Sequence, residues 1–394
     1  MGDEEIKLCI FDLDGTLIET ETLVLAVAQE IVKSHGKQLT DEAIQASIGR
    51  RPLDAWHTVI EILDIPNVTP QQLFHASEPI LTERWHEARL LPGALRLVTH
   101  LRAANIPLAL ATSTSRQTLQ RKLATKPELL EAFQFICCGD DPEVANGKPA
   151  PDCFLHVASL AGVHPRHCLV FEDAPCGVTA AVEAGMRVVV VPSHHPQKNN
   201  DNNTATTATA TDHQLLLPSL LSFYPEQYGL PPFTDNAGDT IPLDPVWRIR
   251  GTVVKGFGRG SSQLGIPTAN LDPTAIATAL AGAVTGIYCG WASLPTLHPS
   301  HPFAFCMSVG YNPVFGNKEK TCEPWILHDF EGVDFYGAEI RLVVTGFIRP
   351  EADFPSLEAL VARIHKDAEV SKVALLHDPR YLRYAEDAFL FEQV

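Results

Sequence analysis

Two short stretches of the sequence combine residue types that handle phosphate and magnesium. The first is Asp12-Leu13-Asp14-Gly15-Thr16, which directly follows the largely apolar run Ile6–Phe11. Two carboxylates this close repel each other unless a cation lies between them, and carboxylate oxygens are ligands for Mg²⁺. The pair therefore indicates a Mg²⁺ site at Asp12 and Asp14, although a turn that simply ends a strand has a similar composition.

The second stretch begins with the glycine-rich run Gly256-Phe257-Gly258-Arg259-Gly260 and ends with Pro267-Thr268-Ala269-Asn270. Glycines at alternate positions let the backbone turn sharply and present N–H groups that bind phosphate oxygens. On an extended segment the side chains of Thr268 and Asn270 lie on the same face. Their neutral oxygens suit a Mg²⁺ that already carries nucleotide phosphates. A glycine-rich hairpin followed by a turn is the alternative interpretation.

The elements around the first stretch follow the pattern of an open parallel sheet. Short apolar runs of the buried-strand kind end at Thr112-Ser113-Thr114-Ser115 and at Glu172-Asp173, and Lys148 stands in the proline-rich turn Gly147–Asp152. In such sheets ligands bind beyond the carboxyl ends of the strands. Hydroxyl and backbone N–H groups at the first of these strand ends could hold a phosphoryl oxygen. The lysine could neutralise phosphate and nucleophile together.

A long helical insertion follows the first stretch. Residues from about Glu19 to Arg89 are predicted to form mostly helices, with Thr40 and Thr69 as N-cap residues. Gly49-Arg50-Arg51-Pro52 interrupts this pattern. Its arginines, Arg50 in particular, could reach a substrate, or they could form an exposed basic turn without a role.

Changes in composition divide the chain in two, as its 394 residues lead one to expect. The first domain is predicted at 1–224, and within it the Asn-, Thr- and Ala-rich stretch 193–212 has nothing to bury and is predicted to be disordered. A Pro- and Gly-containing linker is predicted at 225–245, and the second domain at 246–394.

Short β-like runs separated by glycine and proline predict an antiparallel barrel in the second domain. One helix, from about Ser356 to Leu376, closes the chain. Its apolar stripe is interpreted as core packing, and it consists of Leu357, Leu360, Val361 and Ile364.

The overall composition narrows the classes of function. A formal net charge of −17 argues against nucleic-acid or anionic-membrane binding, and nothing implies a protein partner. Nine irregularly spaced cysteines without a Cys-x-x-Cys pair favour reduced thiols over disulfides or zinc. With no evident targeting segment or apolar run long enough to span a bilayer, a cytoplasmic location is expected.

Taken together and in this order, the motifs of the first domain resemble those of the haloacid dehalogenase superfamily, whose signature is Asp-Leu-Asp-Gly-Thr after a buried strand. The resemblance implies an α/β fold with a parallel sheet and a helical lid at about 19–89. It also implies that Asp12 is the nucleophile that forms an aspartyl-phosphate, and that Asp14 protonates the leaving alkoxide and later activates water. The implied phosphate ligands are Thr112, Ser113 and Lys148, and the implied Mg²⁺ ligands are Asp12, the Asp14 backbone carbonyl and Asp173, with Glu172 beside them.

The second domain resembles riboflavin kinases in the glycine-rich loop with Pro-Thr-Ala-Asn, in Glu323-Pro324-Trp325-Ile326-Leu327-His328 and in Asp334-Phe335-Tyr336-Gly337. The resemblance implies phosphorylation of the ribityl hydroxyl of riboflavin by ATP-Mg²⁺, with Glu323 as the base. It further implies that Thr268 and Asn270 bind Mg²⁺ and that Arg349 contacts flavin. The implied ATP-binding residues are Gly256, Ser262, Thr268, Asn270, Ile326, His328 and Tyr336.

Over nearly its full length the chain resembles plant-type bifunctional FMN phosphatase/riboflavin kinases. That resemblance implies two opposed reactions with riboflavin, ATP and FMN as ligands and Mg²⁺ in both domains. Two alternatives remain for the first domain: a phosphatase for another small monoester such as a sugar phosphate, or a non-catalytic scaffold or flavin-binding module. The complete set of Asp12, Asp14, Lys148 and Asp173 argues against the second alternative.

Overall fold

The computed structural model describes residues 5–192, 214–254, 266–272, 276–277, 279–280, 283–311 and 320–392. Its contacts divide the chain into two compact units, Met1–Pro232 and Phe233–Val394. The stretch predicted to be disordered, 193–212, lies outside the described residues, as does the glycine-rich loop with Gly256 and Ser262.

The boundary between the units, at Pro232 and Phe233, lies within the range 225–245 in which a linker was predicted. The first part of that range forms a 3-10 helix, Pro225–Tyr228, that belongs to the first unit. The second unit begins its first strand at Ile241. The proline and glycine content that indicated a linker therefore marks short turns at the edges of both units.

A six-stranded parallel sheet forms the centre of the first unit. Its strands are β1 (Leu8–Phe11), β4 (Leu108–Ala111), β5 (Phe135–Cys137), β6 (Cys168–Glu172), β7 (Arg187–Val190) and β8 (Gln214–Leu216), in the order β5-β4-β1-β6-β7-β8. All residues of β1, β4 and β6 are buried, as expected for strands covered on both faces. The helices of this layer are α5 (Ala94–Ala103), α6 (Arg116–Lys122), α7 (Pro127–Leu130), α8 (Asp152–Ala161) and α9 (Pro175–Glu183).

A helical lid is inserted between β1 and β4. It consists of α1 (Glu21–Ser34), α2 (Asp41–Ser47), α3 (Pro52–Leu63) and α4 (Pro70–Arg84), and the strands β2 (Ile18–Glu19) and β3 (Arg89–Leu90) pair at its base. The predicted N-caps are present, because the hydroxyl of Thr40 accepts the N–H of Ala43 and that of Thr69 accepts the N–H of Gln72. The lid helices pack on an apolar core of their own.

The second unit is an antiparallel six-stranded barrel. Its strands are β9 (Ile241–Val254), β10 (Asn270–Leu271), β11 (Gly286–Leu294), β12 (His298–Tyr311), β13 (Lys320–Ile326) and β14 (Glu339–Arg349), in the order β10-β9-β14-β11-β12-β13. The N–H of Ala269, just before β10, donates to the carbonyl of Pro324 in β13 at 2.8 Å. This bond links the two end strands and nearly closes the barrel.

The closing helix α10 (Leu357–His377) begins at the predicted position, and its buried residues continue the predicted face along the second half of the helix. Its buried residues are Asp367, Ala368, Ser371, Ala374 and Leu375, whereas Leu357 of the predicted stripe is 55% exposed. The interpretation of that stripe as core packing is wrong for Leu357. The fully buried part of this face begins at Asp367, whose carboxylate is neutralised by Arg349 and Arg363. Two short helices, α11 (Pro379–Leu382) and α12 (Ala388–Phe391), follow.

None of the helices within the described ranges combines the length and apolar character needed to cross a bilayer.

Candidate active sites

The first unit gathers a buried group of charges at the carboxyl ends of β1 and β6. Asp12 follows β1, and Glu172 and Asp173 stand at the end of the neighbouring β6. The Lys148 ammonium lies 2.6 Å from Asp12 Oδ1, 2.6 Å from Glu172 Oε1 and 3.2 Å from the carbonyl of Ala111. The lysine predicted to neutralise the nucleophile thus binds it directly.

Negative charge exceeds positive charge in this group. Oxygens of Asp12, Glu172 and Asp173 lie within 4.8 Å of one another, and the Lys148 ammonium bonds to Asp12 and Glu172 but not to Asp173 among the described contacts. Burial raises the pKa of Asp12 to about 7 despite Lys148, and burial with the neighbouring carboxylates raises the pKa of Asp173 well above its usual range. Asp173 Oδ2 is buried without a hydrogen-bond partner among the described residues. A hard divalent cation such as Mg²⁺ fits this donor set, because it offsets the charge and takes the orphaned oxygen.

Gly15 is required by the close approach of this group to the first motif. Its φ of +83° lies in the left-handed region, and a Cβ here would meet Asp173 Oδ2 at 2.1 Å. Only glycine therefore lets the Asp-Leu-Asp-Gly-Thr turn pack against Asp173.

The carboxylate of Asp14 belongs to a second charge group. Both of its oxygens accept from the Lys122 ammonium, at 2.7 and 2.8 Å, and the hydroxyls of Thr20 and Thr114 add one hydrogen bond each, at 2.7 and 2.8 Å. Burial would raise the pKa of Asp14, but Lys122 and these hydrogen bonds hold it below its usual range. This arrangement leaves the side chain outside the cluster of Asp12, Glu172 and Asp173.

Sequence reasoning missed Lys122. It stands in the last turn of the short helix α6, where a lysine usually favours solvent and the helix dipole. In the structure its side chain is only 7% exposed. Its neighbour Thr114 belongs to the hydroxyl-rich run Thr112-Ser113-Thr114-Ser115, which the sequence analysis had identified. No feature of the sequence pointed to Lys122.

The two predicted phosphate-binding hydroxyls differ in their surroundings. Thr112 follows β4, is 1% exposed, and its Oγ1 accepts the N–H of Thr114 at 3.1 Å. The hydroxyl of Ser113 instead donates to the carbonyl of Gly49 at 2.9 Å, which joins the sheet layer to the lid. Thr112 thus follows Ala111, whose carbonyl binds Lys148, while Ser113 contacts the lid.

A cavity of about 510 Å³ lies between the lid and the sheet edge, within the usual size range of ligand pockets. Asp12 and Asp14 line it, and so does the exposed Arg50. Arg51 also lines it, but its guanidinium donates to the carbonyl of Val144 at 2.7 Å. The lid side is mainly apolar and aromatic, and it includes Val24, Leu25, Leu39, Ile48, Leu53, Trp56, Phe74, Leu81 and Trp85.

In the second unit the structure brings the Pro-Thr-Ala-Asn segment to the strand that carries Glu323. The bond from Ala269 to Pro324 sets the two segments side by side. Ala269 is buried while Thr268 and Asn270 on either side of it are only partly buried, so the two predicted Mg²⁺ ligands share the outer face. Glu323 is partly buried, and burial raises its pKa, which suits a proton acceptor.

The other predicted ligands of the second unit have different surroundings. Ile326 is buried at the end of β13, whereas His328 and Tyr336 are exposed. The ring of His328 lies 4.7 Å from that of Phe303. Arg349 forms a two-pronged ion pair with the buried Asp367, which ties β14 to α10, so its flavin contact remains a prediction.

Comparison with known proteins matches both units. The riboflavin kinase family model matches residues 243–375, and the haloacid dehalogenase-like hydrolase model matches residues 6–185. The first unit is similar to a probable pseudouridine-5'-phosphatase of Drosophila melanogaster, with 40% identity over 59% of this chain and 97% of that protein. The second is similar to the riboflavin kinase of Homo sapiens, with 43% identity over 36% of this chain and 87% of that protein.

One relative matches both units in a single polypeptide. The bifunctional riboflavin kinase/FMN phosphatase of Arabidopsis thaliana is 41% identical over 389 residues, which is 98% of this chain and 98% of that protein. The chain belongs to the family of bifunctional riboflavin kinase/FMN phosphatases.

Proposed function

We propose that the second domain phosphorylates riboflavin to FMN with ATP and that the first domain hydrolyses FMN to riboflavin and phosphate. The proposal for the first domain rests on the buried group in which Asp12 bonds to Lys148, with Asp14 on the wall of the same cavity. The proposal for the second rests on the bond that sets Thr268 and Asn270 beside the strand of Glu323. Nine free cysteines support a reducing, cytosol-like compartment.

In the phosphatase reaction, a carboxylate oxygen of Asp12 attacks phosphorus and the ester bond to the ribityl oxygen breaks. Asp14 protonates that oxygen as it leaves, and then takes a proton from the water that releases phosphate from Asp12. Lys148 offsets charge at the nucleophile throughout, because its ammonium already binds Asp12. Mg²⁺ held by Asp12, Asp173 and the Asp14 carbonyl would offset charge on the phosphoryl oxygens.

In the kinase reaction, the carboxylate of Glu323 accepts the proton of the ribityl hydroxyl as that oxygen attacks the γ-phosphorus of ATP. The raised pKa makes Glu323 a stronger base than an exposed glutamate. Thr268 and Asn270 would hold the Mg²⁺ that ATP brings, and this ion would offset charge on the transferred phosphoryl group. ATP contacts are proposed for Ile326, His328 and Tyr336, and a flavin contact for Arg349.

The cavity of the first domain favours FMN over a sugar phosphate. Its lid wall is apolar and aromatic, with Trp56, Phe74 and Trp85, so it suits a flat ring system better than a chain of hydroxyls. A nucleotide such as pseudouridine 5'-phosphate is the second candidate, because the Drosophila relative carries that substrate in its name.

A panel of phosphate monoesters tests this choice. The full-length protein is assayed in Mg²⁺ without ATP, so that the kinase is silent, and phosphate release is measured from FMN, pseudouridine 5'-phosphate and glucose 6-phosphate. We expect kcat/KM for FMN to exceed that for glucose 6-phosphate by at least about tenfold, since an apolar pocket rejects hydroxyl-rich groups. A higher value for either of the other esters would contradict FMN as the substrate.

Replacing Gly15 by Ala should lower FMN hydrolysis at least about tenfold, because the new Cβ would displace Asp173 and strain a left-handed turn. Gly162→Ala is the matched control, since Gly162 has a φ of +66° but no atom within 4 Å of the added Cβ. The control bears the backbone strain alone and should keep its phosphatase rate. Equal losses in the two variants would show that backbone strain, and not the contact with Asp173, is responsible.

A further inference from the structure

We propose that Lys122 is a positioning residue for the phosphatase reaction, whose ammonium holds the Asp14 side chain in place for its exchange of protons with the leaving oxygen and the attacking water. The inference rests on the proposed role of Asp14 in FMN hydrolysis. Among the described residues, Lys122 bonds to Asp14 and Thr114 and not to Asp12, Glu172 or Asp173.

The first argument is the division of charge in the site. Lys148 is engaged by Asp12 and Glu172, and Lys122 is engaged by Asp14. Each of the two aspartates of the motif therefore has an ammonium of its own.

The second argument is the geometry of the contact. Lys122 binds both oxygens of Asp14, and it also donates to Thr114 Oγ1 at 2.9 Å, which in turn donates to Asp14. A carboxylate held at both oxygens by one group cannot rotate freely about its last bond. Thr20 adds a further bond from the start of the lid. The carboxylate is thereby held at the wall of the cavity, where a leaving group would lie.

The third argument is that Lys122 is itself held in place. Its Nζ lies 4.5 Å from the centre of the Trp85 ring, which lines the same cavity. The helix α6 that carries it is capped at its N-terminus by Ser115, whose hydroxyl accepts the N–H of Thr118. A buried ammonium is costly unless it is paired, so its place in the site depends on Asp14 and the hydroxyl.

The test is a comparison of two substrates that differ in leaving group. Hydrolysis of FMN expels an alkoxide that needs a proton, whereas 4-nitrophenyl phosphate expels a phenolate that needs little help. We expect Lys122→Met to lower kcat/KM for FMN by about 10- to 100-fold and that for 4-nitrophenyl phosphate by less than about threefold, as general-acid catalysis requires. A merely structural role would lower both rates by the same factor, and that result would overturn the proposal.

Lys126→Met is the matched control, because Lys126, in the connection between α6 and α7, is also buried but donates to Thr125 and to the backbone carbonyl of Lys122, not to Asp14. Its ratio of the two rates should equal that of the wild type. A second test adds Lys122→Met to Asp14→Asn. If Lys122 acts through Asp14, the double variant is no slower on FMN than Asp14→Asn alone, whereas multiplied losses would contradict the proposal.

Two further variants test the proposal if the Lys122→Met protein does not fold. Lys122→Arg and Lys122→Gln keep hydrogen-bond donors at Asp14, and the arginine variant should recover more of the FMN rate than the glutamine variant. Equal FMN rates in the two would overturn the proposal. If the wild type does not hydrolyse FMN, the proposed substrate fails, and the leaving-group ratio is measured with the alkyl phosphate that it does hydrolyse.

Discussion

Replacing Asp12 by Asn should abolish FMN hydrolysis, with kcat at least about 10⁴-fold lower, while riboflavin phosphorylation is unchanged. The amide keeps the size of the side chain but cannot form the acyl phosphate. It also removes one of the carboxylates that share Lys148, so the loss comes from missing chemistry and not from an unpaired charge. The direct measurement is the rate at which the Asp12→Asn variant releases phosphate from FMN in the absence of ATP.

A second measurement uses both domains of the same protein. With riboflavin, ATP and Mg²⁺ supplied, the Asp12→Asn variant should accumulate FMN at least as fast as the wild type, since hydrolysis no longer removes the product. Asp41→Asn, at an exposed position in the first turn of α2, is the control and should leave both rates unchanged. FMN hydrolysis at the wild-type rate in the Asp12 variant would exclude Asp12 as the nucleophile.

Replacing Glu323 by Gln should lower riboflavin phosphorylation by about 10²- to 10⁴-fold, the range expected for loss of a general base. Glutamine fills the same space in β13 opposite Ser308, so riboflavin should still bind. Turnover is followed by FMN formation from ATP, and binding by quenching of riboflavin fluorescence. Glu331→Gln, an exposed change in a loop of the same domain, should be neutral. FMN formation by the Glu323→Gln variant at the wild-type rate would exclude Glu323 as the general base.

The pH dependence of the kinase offers an independent check on Glu323. Burial raises its pKa above that of a free glutamate, which is about 4.3. A carboxyl with a raised pKa takes up its proton earlier as the pH falls, and the protonated form cannot act as a base. The acid limb of kcat/KM should therefore lie above the ordinary glutamate range in the wild type. That limb should be missing in Glu323→Gln, and its persistence there would assign it to another group.

The motifs and the order of the elements could be predicted because their geometry is local. Residues at i and i+2, such as Asp12 and Asp14 or Thr268 and Asn270, have a relation that the backbone of a strand or turn decides by itself. A buried run followed by such a pair marks the carboxyl end of a parallel strand, so the edge of the sheet with its charged group followed from the chain alone.

Only the tertiary structure decided which distant groups meet. Lys122 reaches Asp14 across 108 positions, and it lies on a helix whose residue pattern gives no reason to bury a lysine. Arg349 and the buried face of α10 depend in the same way on Asp367, whose charge, unlike its position in the helical repeat, favours exposure to water. Pairings of this kind depend on how whole elements pack, since packing sets which charge is available to offset another, and no local rule of the chain contains that information.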